Sequence, residues 1–586
     1  MGADPDVKTA GDGGEPITET ASEEQGDIYE RHLSSAEWDK YRTTKRGLSP
    51  RHVQIMAIGG SIGTALFVGI GGSLSRTGPL SLLLGYLFWG LLFIWPCYLC
   101  VAEMIAWLPV KGNIFELAAR YVDPSLGFAM VRKHSSSENA SGYCSSDSRQ
   151  GWTYYFGGQM LVCTEYSAVA TVMQYWEPAD KVNPAAWVAM CLVVCFLLNI
   201  IAVKWYGESE FIMASTKILL LIGLCLLTFI TMVGGNPKHD AYGFRYWKHG
   251  LAMHEYYATG VTGRFLGFWS VVRYAAFTIS GPDLIALAAG EIQNPRRTVP
   301  RVARLVFYRL VGFYILGVFF VGVICSSRDA RLMGALEEGL AGSAASPWVI
   351  GIENLAITGL PGFINFLILL SGWSCGNAYL YSTSRTLYSL ARDGQAPKIF
   401  MKCTKSGVPI YSVLVVTLIS CVTFLVASDS AVTVFFWFVS LTTIAFILTY
   451  TSMLWTFIGW FRALKAQGID RDTLPYKAPL APYSAYFAIG IGCVTMFFIG
   501  FDVFVPWDTQ GFVTSYFGLA YGIIVFIVWK IFKRTKFQDP KTADIYSGKA
   551  EIDAECRHWE EGGLDEHERR RLAEMNIVRR TWERLW

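Results

Sequence analysis

Charge is scarce in this sequence. Asp, Glu, Lys and Arg make up 17% of its 586 residues, against roughly a quarter in soluble domains. Charge is absent altogether from Val53–Ser75, Leu80–Ala102 and Phe512–Trp529, among other stretches. The net charge is only +3 and no long basic run occurs in the tails, which excludes nucleic acid as a partner. All eight histidines (His32, His52, His134, His239, His249, His254, His558 and His567) fall outside the long apolar segments. No metal-ligand cluster or nucleotide loop lies in or beside such a segment. Hydrolytic or transferase chemistry therefore has no general base or metal to work with. A membrane-embedded enzyme is the remote alternative, and no cofactor or metal is expected. The thirteen cysteines are scattered, mostly singly in apolar segments, and read as small buried hydrophobes. Residues 1–30 are polar, so no cleavable signal peptide is expected, and the first apolar helix would serve as signal anchor.

What the chain has in quantity is apolar surface, with 52% hydrophobic residues. A helix needs about 20 apolar residues to cross a bilayer. Such segments recur near 53–75, 80–108, 152–176, 185–203, 211–233, 265–289, 305–325, 361–390, 409–427, 432–461, 483–506 and 513–532. The expectation is an all-α integral membrane protein with twelve transmembrane helices and a lipid bilayer as its solvent. An even count places both termini in the cytosol, and the loop charges agree with the positive-inside rule. Lys40, Arg42, Lys45, Arg46 and Arg51 precede the first span, and Arg296, Arg297, Arg301 and Arg304 fall in an expected inner loop. The expected outer loop 234–264 is the exception, with Lys238, Arg245, Lys248 and Arg264. Its length weakens the rule there. Residues 1–50 form a tail expected to be disordered, with nine acids and one lysine in its first 30 positions. The membrane domain spans 51–532. Residues 533–586 form a charged tail, with a surface helix expected between Asp565 and Trp586. Both tails are expected to be cytosolic and open to trafficking or ubiquitination machinery.

Two spans carry helix breakers. The first contains Gly59-Gly60-Ser61-Ile62-Gly63-Thr64-Ala65, and the sixth contains Ser280-Gly281-Pro282-Asp283. Glycine frees the backbone and proline removes a donor. An unwound turn leaves bare N–H and C=O groups at mid-membrane, tolerable only where they line a cavity. N–H groups at the start of a half-helix attract a carboxylate, and bare carbonyls attract an ammonium. A free amino acid carries both. Spans one and six become equivalent if helices 1–5 and 6–10 are two repeats. The plainer reading is close helix packing through small residues.

The chain resembles the fungal amino-acid permeases of the amino acid–polyamine–organocation superfamily. The marks are Arg51-His52-Val53-Gln54 leading into Ala57-Ile58-Gly59-Gly60-Ser61-Ile62-Gly63-Thr64, then Ala102-Glu103-Met104 and Leu108-Pro109-Val110. Gly207-Glu208-Ser209-Glu210-Phe211, Ala289-Gly290-Glu291, Asn294-Pro295-Arg296-Arg297, Ser384-Arg385-Thr386-Leu387 and Leu474-Pro475-Tyr476-Lys477 follow in order. The resemblance runs from about Leu48 to Phe532. It implies a LeuT-type 5+5 inverted repeat with broken helices 1 and 6, plus two extra C-terminal helices. It also implies proton-coupled import of amino acids at the plasma membrane by alternating access. Two positions depart from the family pattern: Gly63-Thr64-Ala65 replaces Gly-Thr-Gly, and Gly281-Pro282-Asp283 replaces Gly-Thr-Glu. Both touch the expected substrate site, so no relative's specificity carries over. An amino-acid sensor on the same fold is the alternative. Sensors of this type tend to carry a large added signalling region, whereas the N-terminal tail here is short.

An ionisable residue inside a span is a functional candidate, because it is costly there. Glu103, Glu165, Lys217 and Asp283 qualify. Lys217 resembles the lysine that proton-coupled relatives place where sodium-coupled ones bind a cation. It is expected to carry the coupling charge. Glu165 matches a family glutamate on the third span and is expected to receive the substrate ammonium or relay a proton. Glu103 is expected to hold helix ends together. Asp283 is expected to cap the second half-helix as its N-cap, or to lie beside the substrate amine. Arg273 lies ten residues before Asp283, roughly 15 Å along a helix, and should sit near the outer mouth. Resemblance and position add Phe277 as an aromatic gate, and Asn377, Ser440, Thr442 and Thr443 as pocket walls. The expected substrate set is Ser61, Ile62, Gly63, Thr64, Glu165, Phe277, Ser280, Gly281, Asp283, Asn377 and Thr442.

Residues 131–150 interrupt the family pattern at one point with a polar, serine-rich stretch. Without it, Gly127-Phe128-Ala129-Met130 joins Gly151-Trp152-Thr153-Tyr154, which looks like the family's entry into span three. Twenty residues are 3 × 20 = 60 nucleotides, a plausible length for a short intron. Val131-Arg132 can be encoded as a splice donor and Gln150 as an acceptor. A retained in-frame intron is expected, the alternative being a tolerated cytosolic insertion. Under either reading Asn139-Ala140-Ser141 faces the cytosol and is not glycosylated.

Overall fold

The computed structural model describes residues 62–109, 113–123, 126, 151–177, 181–201, 203–248, 250–283, 295–337, 346–392, 396–404 and 408–547. It also describes 549, 552, 553, 556, 570, 573, 575 and 576. The N-terminal tail, Ser61, the 131–150 stretch and most of the expected C-terminal surface helix lie outside the described residues.

The described residues contain helices and no strand. We number the α-helices in chain order. They are α1 (Ile70–Thr77), α2 (Pro79–Trp107), α3 (Asn113–Tyr121), α4 (Trp152–Met173), α5 (Pro184–Ile201), α6 (Val203–Met232), α7 (Gly260–Thr278) and α8 (Pro295–Ile324). After these come α9 (Ala330–Glu337), α10 (Pro347–Asn354), α11 (Leu360–Arg392), α12 (Ile410–Ser420), α13 (Ala431–Ala466), α14 (Tyr483–Phe498) and α15 (Thr509–Lys533).

Seven helical segments are long and apolar enough to cross a membrane: Pro79–Trp107, Ile212–Met232, Leu360–Ala391, Ile410–Ala427, Ala431–Ala466, Tyr483–Val503 and Thr509–Phe532. Pro184–Ile200 and Val311–Ile324 are apolar but shorter. Long apolar side chains such as Leu219, Phe229, Phe497 and Ile531 point outward and are exposed. On a soluble protein so much exposed apolar surface would drive association. In a bilayer it is the natural outer face.

Helix α13 runs along α4 and is flanked by α14 and α15. Helix α11 packs on α4, α6 and α12, while α8 lies against α2 and α6. Helices α4, α11 and α13 are therefore the inner staves, and α15 lies at the periphery. Punctuation follows the sequence. Pro79 and Pro347 open α2 and α10, where their missing N–H costs nothing. Ser430 and Asp508 cap α13 and α15 through their side chains. Past α15 the chain runs back over the other helix ends. Gln538 N–H donates to the Val122 carbonyl at 2.8 Å, and the Gln467 side chain donates to that of Ala543 at 2.7 Å.

Candidate functional site

Of the first expected break only Ile62 to Ala65 are described, Gly59, Gly60 and Ser61 lying outside the described residues, while Ser280 to Asp283 of the second are all described. Ile62 to Thr64 are non-helical, and Ala65–Gly69 form a π-helical turn before α1 begins. A π-turn widens the backbone ring, a distortion frequent at functional sites. At the second break α7 ends at Thr278, Ile279 and Ser280 are extended or irregular, and helical backbone resumes at Pro282 and Asp283. Gly281 sits between them at φ +125, a region that a Cβ strongly disfavours.

At membrane depth each unmatched backbone group costs several kcal/mol, so the partners at the breaks define the site. At the first break, Thr64 N–H donates to Glu165 Oε2 at 3.2 Å and its hydroxyl donates to the same oxygen at 3.0 Å. Ser371 of α11 donates to the Ile62 carbonyl at 3.3 Å. Tyr274 of α7 donates to the Ala65 carbonyl at 2.9 Å, and Ser346 to that of Phe67 at 2.8 Å. Gly63 is what admits the carboxylate. A Cβ there would lie 2.0 Å from Glu165 Oε1, far inside contact distance. Glu165 comes from the middle of α4, where it is buried. Lys217 of α6 is also buried and lies within electrostatic range of Glu165.

The second break has different partners. Gly281 N–H donates to the Tyr450 hydroxyl at 3.3 Å, and that hydroxyl donates to Asp283 Oδ1 at 2.8 Å. Tyr154 of α4 donates to Asp283 Oδ2 at 3.0 Å. Asp283 lies inside the first turn of the resumed helix, and these bonds go to phenols of α4 and α13. The N–H groups that an N-cap at Asp283 would take belong to residues outside the described ones. Proline at 282 takes the first helical position.

Of the other expected site residues, Ile62, Thr64, Phe277, Ser280, Asn377 and Thr442 are all buried. Phe277 lies one residue before the end of α7, with its ring 6.1 Å from that of Tyr274. Thr442 faces Thr164, the neighbour of Glu165, at 3.4 Å between hydroxyls. Asn377 accepts from Asn199 of α5 at 2.8 Å, which turns its oxygen toward α5. Thr443 bonds its own helix through the Val439 carbonyl.

Two ionisable residues have structural partners. Glu103 accepts from Arg471 Nε at 2.9 Å, from its Nη2 at 2.8 Å and from Ala478 N–H at 2.9 Å. These bonds tie the end of α2 to the segment after α13. Arg273 pairs with Asp502 at 3.0 Å, and Tyr256 donates to the other oxygen of Asp502 at 2.9 Å. That joins α7 to the segment after α14.

Sequence reasoning missed Tyr154, Tyr450 and Glu210. The two tyrosines carry no distinguishing signal among 29. Glu210 does: it precedes Lys217 by seven residues, two turns on the same helix face.

Residues 52–541 match the family model described as amino acid permease. The chain is 39% identical over 527 residues to the proline-specific permease of Emericella nidulans, covering 89% of this chain and 92% of that protein. It is 36% identical over 549 residues to the dicarboxylic amino acid permease of Saccharomyces cerevisiae, covering 93% and 86%. It is 35% identical over 567 residues to the lysine-specific permease of the same yeast, covering 96% and 85%.

Proposed function

The chain belongs to the amino acid permease family, and from that premise we propose that it imports amino acids across the plasma membrane by proton symport with alternating access. Multi-pass membrane embedding and amino-acid transport follow from the family. The symport, the twelve spans in a 5+5 inverted repeat, the address and the cytosolic termini are our reading. Trafficking or ubiquitination machinery acting on the tails belongs to it too.

One observation carries the reading: a buried carboxylate, Glu165, sits on the Thr64 N–H of a broken helix, with buried Lys217 in electrostatic range. The relatives are named for proline, dicarboxylic amino acids and lysine, whose common parts are an ammonium and a carboxylate. In this reading the substrate carboxylate replaces Glu165 on the N–H groups of the first break. Glu165 turns to the ammonium, which also meets the free carbonyls of the breaks. Lys217 then changes protonation as the two half-helices rock between faces. Phe277 closes the site on one side.

Radiolabelled uptake in a transport-deficient cell tests this, with a competition panel of amino acids at several external pH values. Accumulation that a protonophore collapses is the expected result. Binding without accumulation would contradict it and identify a sensor.

A further inference from the structure

A second buried acid lies within electrostatic range of Lys217. Glu210 lies on α6 and is 2% exposed. Its Oε1 accepts from the Ser374 hydroxyl of α11 at 2.9 Å, while its Oε2 is buried with no hydrogen-bond partner among the described residues. Lys217 is within electrostatic range of it, as of Glu165. Among the described residues, the other titratable groups facing Glu210 are Cys195 of α5 and Cys375 of α11, both buried thiols. One turn from Ser374, Asn377 Nδ2 has spare hydrogen-bonding capacity, as does its partner Asn199 Oδ1.

Charge balance gives this cluster a function. One lysine lies within electrostatic range of two carboxylates. With all three ionised the cluster carries −1, and an uncompensated buried charge is strongly unfavourable. With one extra proton it is neutral. The site therefore holds one proton that can reside on either acid, with the amine in range of both. Lys217 lies seven residues along α6 from Glu210, roughly 10 Å of rise. In the orientation proposed above, Glu210 is on the cytosolic side.

We propose that Glu210 is the exit acid of the proton path. In the neutral cluster the Glu165 carboxyl and the Lys217 ammonium each hold a proton and Glu210 is a carboxylate. The ammonium passes its proton to the Glu210 carboxylate, leaving a carboxyl and a neutral amine, and the Glu165 carboxyl then reprotonates the amine. The Glu210 carboxyl releases its proton to the cytosol, and a proton from outside returns Glu165 to the carboxyl. Ser374 positions Glu210 for this exchange. The inference rests on the proton-symport reading and adds a residue and a direction to it.

The test uses the purified full-length protein in proteoliposomes, with radiolabelled proline, aspartate and lysine as probes. Wild type is first driven by an inward proton gradient. If it accumulates none of the probes under the gradient yet exchanges one by counterflow, the symport reading fails and Glu210 is not at issue. Where it accumulates, Glu210→Gln should lose gradient-driven accumulation by about tenfold or more. It should keep counterflow within about threefold, because exchange needs no proton release. Glu210→Asp should restore part of the accumulation. Ser374→Ala should slow it several-fold and shift its pH dependence. Normal accumulation by Glu210→Gln overturns the inference. If that variant does not fold, Ser374→Ala decides: an unchanged rate and pH profile overturns the inference equally.

Discussion

The two helix breaks solve one problem with different chemistry. Both expose backbone groups in a buried place, and both recruit an acid. At the first, Glu165 reaches in from another helix, beside Lys217 and next to Gly63. At the second, Asp283 belongs to the broken helix itself and is held by two phenols, Tyr154 and Tyr450. A carboxylate next to an amine can trade a proton. A carboxylate held by two tyrosine hydroxyls accepts from neutral donors, and a proton passed from a phenol would only move the negative charge rather than neutralise it. The first break is thus built to change charge. The second is built to hold position, by tying α4 and α13 to the start of the resumed helix.

The largest effect should come from filling the first break. Gly63→Ala places a Cβ where Glu165 Oε1 lies 2.0 Å away, and uptake and substrate binding should both be lost. The double variant Gly63→Ala with Glu165→Ala should regain thermal stability but no coupling. Near-normal transport by Gly63→Ala would mean that Glu165 does not occupy the break. Lys217→Met comes next. Accumulation should vanish while substrate protection against thermal unfolding persists, and pH-dependent accumulation by this variant would remove the lysine from the coupling.

The second break should respond in stability more than in coupling. Tyr450→Phe removes the donor to Asp283 and the acceptor of the Gly281 N–H together. It should cost about 1–2 kcal/mol, read as a lowered melting temperature in detergent. Tyr154→Phe removes the bond to Asp283 and a longer one, 3.4 Å, with Ser382, and should cost about 0.6 kcal/mol or more. An unchanged melting temperature for Tyr450→Phe would contradict the double role given to Tyr450. The smallest effect is expected from deleting 131–150, which joins Met130 to Gly151, the residue just before α4. Uptake should be unchanged, and sequencing of the mature transcript should show the 60-nucleotide stretch (3 × 20 residues) removed from most messages. A deletion variant that fails to transport would make the stretch a working part of the protein.

The breaks were legible because glycine and proline act on the backbone they occupy, so Gly63 and Gly281-Pro282 mark the place without knowledge of the fold. Glu165 and Lys217 were legible because charge is conspicuous in an apolar span. Partnership was not legible. Asp283 looked like a helix cap because acids favour that position. Only the approach of α4 and α13 reveals that two phenols claim it. Arg273 had no assignable role until the segment after α14 brought Asp502 to it. Asn377 was expected to wall the pocket, yet its oxygen meets Asn199 of a helix that periodicity cannot place. Side-chain chemistry is written locally, but which helices meet is decided by packing along whole faces.

The contrast between the breaks is tested most directly by the ratio of protons to amino acid moved, measured in proteoliposomes for Tyr450→Phe and Lys217→Met beside wild type. The account predicts a wild-type ratio at reduced rate for Tyr450→Phe, and counterflow without net proton movement for Lys217→Met. A changed ratio in Tyr450→Phe, or an unchanged one in Lys217→Met, would contradict it.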